Sequence, residues 1–158
     1  MPDTQTDYLI NGPAKRCRAT LVLAHGAGAP MDSPFLEAVA QSLARRKFKI
    51  VRFEFPYMSK RRLTGKKSGP NGMKILEASW LDVIEEFGAE GLFIGGKSMG
   101  GRVASQVADQ AGVSGVICLG YPFHPPGKPA KLRIRSLETS RTPVLICQGE
   151  RDPFGNTE

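Results

Sequence analysis

Apolar residues occur along this chain in short blocks, and the spacing within the blocks changes from one to the next. Ala19-Thr20-Leu21-Val22-Leu23-Ala24, Lys49-Ile50-Val51-Arg52-Phe53-Glu54-Phe55, Gly91-Leu92-Phe93-Ile94, Gly115-Val116-Ile117-Cys118-Leu119 and Pro143-Val144-Leu145-Ile146-Cys147-Gln148 are apolar runs of strand length. Runs of this kind read as strands covered on both faces. Tyr8-Leu9-Ile10 reads as a short edge strand, ended by Asn11-Gly12-Pro13. Between the runs the period becomes helical. Leu36, Val39, Ala40 and Leu43 recur at i, i+3, i+4, i+7, with Asp32 or Ser33 as cap and Pro34 near the first turn. Leu76, Trp80, Val83, Ile84 and Phe87 mark a second amphipathic helix, closed near Gly88. A third buries Val103, Val107 and Ala111. The segment from Tyr57 to Asn71 shows no period and is expected to be a long loop.

Strands alternating with helices predict an α/β, three-layer α/β/α sandwich on a mostly parallel sheet, as one domain over residues 1–158. In such a sheet, ligands bind beyond the carboxyl ends of the strands. His25-Gly26-Ala27, Glu54-Phe55, Ser98, Tyr121 and Asp152 follow five different strand ends and are expected on one rim.

Composition narrows the class further. Hydrophobic residues at 41% and charged residues at 23% fit a globular domain. No apolar run approaches the roughly 18 residues of a membrane span. The polar start, Met1 to Asp7, lacks the pattern of a secretory leader. Cys118 and Cys147 read as small core residues and Cys17 as exposed, which fits free thiols in a cytoplasmic setting. No Cys or His spacing suggests a metal, and no cofactor is expected. Net charge is +7, but Lys60, Arg61, Arg62, Lys66 and Lys67 supply five of those charges in one short segment. Three readings of the patch stay open: a solvated loop, a site for an anionic substrate group, or nucleic acid. Nothing resembles a groove-reading helix, which argues against nucleic acid.

The chemistry centres on Gly95-Gly96-Lys97-Ser98-Met99-Gly100-Gly101. It joins an apolar strand to a helix-like stretch, the context in which G-x-S-x-G is a nucleophile elbow. The turn presents Ser98 at a helix N-terminus, where free N–H groups favour negative charge.

Together with His25-Gly26-Ala27-Gly28-Ala29, Arg52-Phe53-Glu54-Phe55-Pro56-Tyr57-Met58, Gly120-Tyr121-Pro122-Phe123-His124-Pro125-Pro126-Gly127-Lys128-Pro129 and Gln148-Gly149-Glu150-Arg151-Asp152-Pro153-Phe154-Gly155, this stretch resembles the α/β-hydrolase fold. More narrowly, the chain is similar to the dienelactone-hydrolase-like group that includes the Tex/KANL hydrolase-like domains. The resemblance implies a serine hydrolase of ester, thioester or lactone bonds in a small acyl substrate. Ser98 would be the nucleophile and Asp152 the triad acid. The N–H groups of Met99 and Ala27 would hold the oxyanion. The family's histidine follows one further strand, whereas this sequence has only His25 and His124. His25 is expected to shape its loop, and His124 is the candidate base. Phe55, Tyr57 and Tyr121 are candidates for the substrate mouth.

The sequence is accordingly expected to lack the family's C-terminal helix–strand–helix. That would leave Val144–Gln148 as an exposed edge, open to homo-oligomer formation. The alternative function is a non-catalytic scaffold that binds a partner through the rim or the basic segment.

Overall fold

The structure is a computed structural model that describes residues 7–156, so the polar stretch Met1–Thr6 lies outside the described residues. Six strands form one sheet: β1 (Leu9–Asn11), β2 (Thr20–Ala24), β3 (Lys49–Phe53), β4 (Leu92–Lys97), β5 (Gly115–Leu119) and β6 (Val144–Cys147). Their order is β1-β3-β2-β4-β5-β6. Only β1 runs antiparallel, pairing Leu9 with Arg52 and Asn11 with Ile50. The remaining ladders are parallel, as the two-sided apolar runs predict.

Strand periodicity divides the core between the two faces. On one face, Val22, Ala24, Val51, Phe53, Ile94, Val116 and Cys118 pack under α3 (Met73–Phe87) and α4 (Met99–Ala111). On the other, Leu21, Leu23 and Ile50 meet Ala40, Val39 and Leu43 of α1 (Pro34–Arg45). Ser33 caps α1 by accepting from the Leu36 N–H, and Pro34 follows in the first turn. Trp80 of α3 is fully buried, edge-on to Phe53 at 4.8 Å between centroids. This is the predicted three-layer α/β/α sandwich.

Two expectations need correction, and one element was not foreseen. The segment after β3 is not all loop: Pro56–Thr64 forms α2. Pro56 stands at its start, where a missing N–H costs nothing, and Gly65 ends it at φ 70°. A short helix, α5 (Arg135–Thr139), also escaped the sequence reading. Finally, Cys147 is exposed rather than in the core. β6 is an edge strand covered on one face only, where Val144 and Ile146 pack inward, so Leu145 and Cys147 point out.

Candidate active site

β4 ends and α4 begins at Ser98, whose backbone sits at φ 51°, ψ −117°. A non-glycine residue pays of order 1–3 kcal/mol for such a conformation. Its surroundings impose it. The Ser98 N–H donates to the Leu119 carbonyl at 3.0 Å, and its carbonyl accepts from the Arg102 N–H at 3.1 Å. The flanking glycines permit the close approach: a Cβ on Gly96 would lie 2.2 Å from the Ala24 oxygen, and one on Gly100 would lie 2.5 Å from the His25 oxygen. Trp80 donates to the Gly100 carbonyl at 3.3 Å and ties α3 to the elbow. Met99 supplies the first amide of α4, one of the N–H groups a helix leaves unpaired. The Ser98 side chain is half-buried, and its Oγ has no hydrogen-bond partner among the described residues.

The loop after β2 packs against this serine. A Cβ on Gly26 would stand 3.6 Å from the Ser98 Cβ. His25, fully buried, sets the loop's shape. Its Nδ1 lies 2.6 Å from the Gly26 carbonyl, and its Nε2 accepts from the Phe55 N–H at 3.1 Å. A carbonyl only accepts and an amide only donates, so the ring is the Nδ1–H tautomer. Burial holds its pKa below the ordinary histidine value, against the raising influence of the Gly26 carbonyl and Glu54. The Gly26–Ala27 peptide is planar and trans, so fixing its carbonyl also fixes the direction of the Ala27 N–H.

A second set of contacts comes from α2 and was not legible in the sequence. The Tyr57 hydroxyl donates to the carbonyls of Ala27 (2.9 Å) and Gly26 (3.3 Å). Arg61 donates to the Gly28 carbonyl at 3.1 Å. Arg62 forks onto buried Glu54 through two 2.8 Å bonds and reaches Asp32 at 2.7 Å. Glu54 in turn accepts from the Met31 N–H. Two arginines of the basic segment are thus turned inward, as clamps on the loop that carries Ala27. Behind them, buried Arg52 binds Glu37, the Met31 carbonyl and Asn11, joining α1 and β1 to the same loop.

On the other side of Ser98, Asp152 lies beside the end of β5. Its Oδ2 would be 3.4 Å from a Cβ on Gly120, the residue after Leu119. Its Oδ1 accepts from the Phe154 N–H at 2.9 Å. Gln148, unremarked in the sequence, staples this corner: it accepts from the Tyr121 N–H and donates to the carbonyls of Tyr121 and Gly155. Glu150, Arg151 and Asp152 form no ion pair among the described residues.

His124 follows in the loop after β5, with Nδ1 2.8 Å from the Pro125 carbonyl and its N–H on the Phe154 carbonyl. No hydrogen bond joins either histidine ring to Ser98 or Asp152 among the described residues. Phe55, Tyr57 and Tyr121 are all buried, so they form the floor beneath the rim rather than an open wall. The open surface is a cleft of about 540 Å³ across the ends of β4, β5 and β6, lined by Phe35, Lys97, Gly120, Cys147 and Gln148 among others. The Lys97 ammonium lies over the Phe35 ring at 5.0 Å.

A parallel sheet whose central strand delivers a strained serine to a helix N-terminus defines the α/β-hydrolase class. Residues 17–158 match the family described as alpha/beta hydrolase domain, and the chain belongs to that family. Solved structures agree on the fold. An alpha-beta serine hydrolase homologue from Coxiella burnetii aligns with a TM-score of 0.63 at 21% identity, over 92% of this chain and 68% of its own. Est1E from Butyrivibrio proteoclasticus, which has been solved with ferulic acid bound, aligns with a TM-score of 0.64 at 15% identity, over 92% and 75%. A carboxylesterase from Nitrososphaera gargenis aligns with a TM-score of 0.57 at 24% identity, over 73% of this chain. This chain spans 41% of that esterase's length.

Proposed function

We propose that this protein is a serine hydrolase of carboxylic ester, thioester or lactone bonds. Ser98 attacks the acyl carbonyl, and the N–H groups of Met99 and Ala27 hold the oxyanion. The acyl-enzyme then yields to water. The strained backbone of Ser98, with the Gly26–Ala27 peptide packed against it, is the observation that carries this reading. The order of the motifs along the chain supports the narrower kinship with the Tex/KANL hydrolase-like domains.

A serine alcohol needs a base. Both nitrogens of His25 are occupied within its own loop. His124, with its Nδ1–H on Pro125, keeps the Nε2 lone pair that a base uses, and is the candidate. Asp152 takes the acid's part, while in this structure the His124 Nδ1 rests on the Pro125 carbonyl. A fluorophosphonate probe should label the wild-type protein and not Ser98→Ala, and His124→Ala should slow the labelling. A folded wild-type sample that resists the probe would overturn the reading. The absence of a histidine hydrogen bond to Ser98 among the described residues favours a second reading, a binding scaffold without turnover.

A further inference from the structure

The cleft across the ends of β4, β5 and β6 holds one charge. Its volume is about 540 Å³, and Phe35, Leu119, Gly120 and Cys147 line it beside Lys97. Lys97 is the single charged side chain in that lining. Gln148, the other long polar side chain there, is committed at both ends of its amide to Tyr121 and Gly155. What remains is an apolar surface with one ammonium.

Distances place that lysine beside Ser98. A Cβ on Gly26 would lie 3.6 Å from the Ser98 Cβ and 3.9 Å from the Lys97 Cγ, so both side chains leave β4 against the same glycine. Leu119, in the wall of the cleft, accepts from the Ser98 N–H at 3.0 Å. Gly120, next to it, lies against Asp152, whose Oδ2 would be 3.4 Å from a Cβ there. The cleft therefore borders both residues of the proposed chemistry.

The lysine head has a support and no counter-charge. Its Nζ lies 5.0 Å from the centre of the Phe35 ring, which is 44% exposed. Such a contact is modest at an exposed site and consumes none of the three N–H donors of an ammonium. Among the described residues the ion pairs use Arg52 and Arg62, and none uses Lys97. Phe35 thus holds the ammonium at the cleft and leaves its charge for an anion. An apolar cleft of this size with one placed charge is the form of a small-molecule site. One ammonium matches the single charge of a carboxylate, whereas a phosphate monoester carries nearly two at neutral pH.

We propose that this cleft takes the acyl group of the substrate, and that Lys97 selects acyl groups bearing a carboxylate at their far end. The acyl link rests on Ser98 being the nucleophile; the carboxylate site does not. Lys97 thereby takes the anion role considered for the basic segment, whose Arg61 and Arg62 are spent on the loop after β2 and its neighbours.

The test compares three thioesters of N-acetylcysteamine that differ at the far end of a six-carbon acyl chain: adipoyl (carboxylate), hexanoyl (neutral) and 6-aminohexanoyl (cation). Wild type should prefer adipoyl over hexanoyl by about tenfold in kcat/KM, mainly through KM, and should use 6-aminohexanoyl least. Lys97→Gln should bring the adipoyl-to-hexanoyl ratio near one, and Lys97→Glu should make 6-aminohexanoyl better than adipoyl. Ratios are compared because any general damage to the elbow cancels in them. A wild-type ratio near one, or a preference that survives Lys97→Gln, overturns the site. If no thioester turns over, the hydrolase reading fails and binding decides. Monomethyl adipate (one carboxylate) and dimethyl adipate (none) are then titrated into the Ser98→Ala protein while alkylation of Cys147, which lines the same cleft, is timed. Saturable protection by the monoester alone, lost when Lys97→Gln is added, supports the site. Equal protection by both esters, or none by either, overturns it. Should Lys97→Gln not fold, Lys97→Arg should keep the preference and Lys97→Met should lose it.

Discussion

At the scale of single residues, the site depends on two features of opposite character. One is emptiness at Gly100. An alanine there would place a Cβ within 2.5 Å of the His25 oxygen and 2.7 Å of the Ala24 oxygen, and neither backbone has room to give. Gly100→Ala should cost about 2–3 kcal/mol in urea unfolding. Gly112→Ala should cost only about 1 kcal/mol, because its φ of 72° is unfavourable for alanine but nothing lies within 4 Å. The other feature is the neutral ring of His25. Burial keeps its folded pKa below the unfolded value of about 6.5, so below that pH the unfolded chain binds a proton that the folded chain refuses. Its effect on stability is therefore absent at pH 7 and above, and grows unfavourable as the pH falls through about 6.5, with a limiting slope of about 1.4 kcal/mol per pH unit. The melting temperature should fall between pH 7 and 5, and the His25 ring should titrate below the ordinary histidine value of about 6.5 by NMR. A ring titrating above 6.5 would contradict the buried neutral tautomer.

At the scale of elements, α2 is the informative case. The sequence disclosed β2 to β6, α1, α3 and α4, because long apolar periods encode burial on a known face. It also disclosed the elbow, because a strand, a Gly-flanked serine and a helix leave little else to build. It hid α2, whose nine residues offer only Tyr57 and Met58 as a buried face and hold their place by polar bonds. The Pro56 start and the Gly65 stop were the available signals, masked by the run of Lys and Arg. Long-range polar pairs such as Arg62–Glu54, Arg52–Glu37 and the Gln148 staple leave no period to read. Their energetic weight is testable. Arg62→Ala should cost about 2 kcal/mol, less than a fully buried pair because Arg62 is 44% exposed, and Glu54→Gln should recover part of it in the double variant. Tyr57→Phe should lose about 1 kcal/mol of stability. On the proposed mechanism it should also lower the rate of acylation more than it raises KM.

At the scale of the molecule, one face of the sheet is unevenly dressed. α1 covers Leu21, Leu23 and Ile50, whereas Leu145 is 58% exposed and Cys147 stands beside it on β6. An apolar edge of this kind invites pairing between chains. Wild-type sedimentation should show association that rises with concentration, and Leu145→Glu should suppress it. The same unevenness orders the thiols. Cys147 is exposed, Cys17 half-buried and Cys118 fully buried, with its pKa pushed up to about 12 by burial. Timed alkylation read by peptide mass spectrometry should therefore modify Cys147 first and Cys118 last.

The position of Cys147 has a practical consequence. It lines the open cleft with Lys97, which precedes Ser98, and Gly120, where a Cβ would lie 3.4 Å from the Asp152 Oδ2. A fluorophore or spin label attached there, with Cys17 replaced by serine, would sit at the threshold of the proposed chemistry without touching a proposed catalytic group. The chain would then carry its own reporter, able to register an arriving acyl compound whether or not any bond is broken.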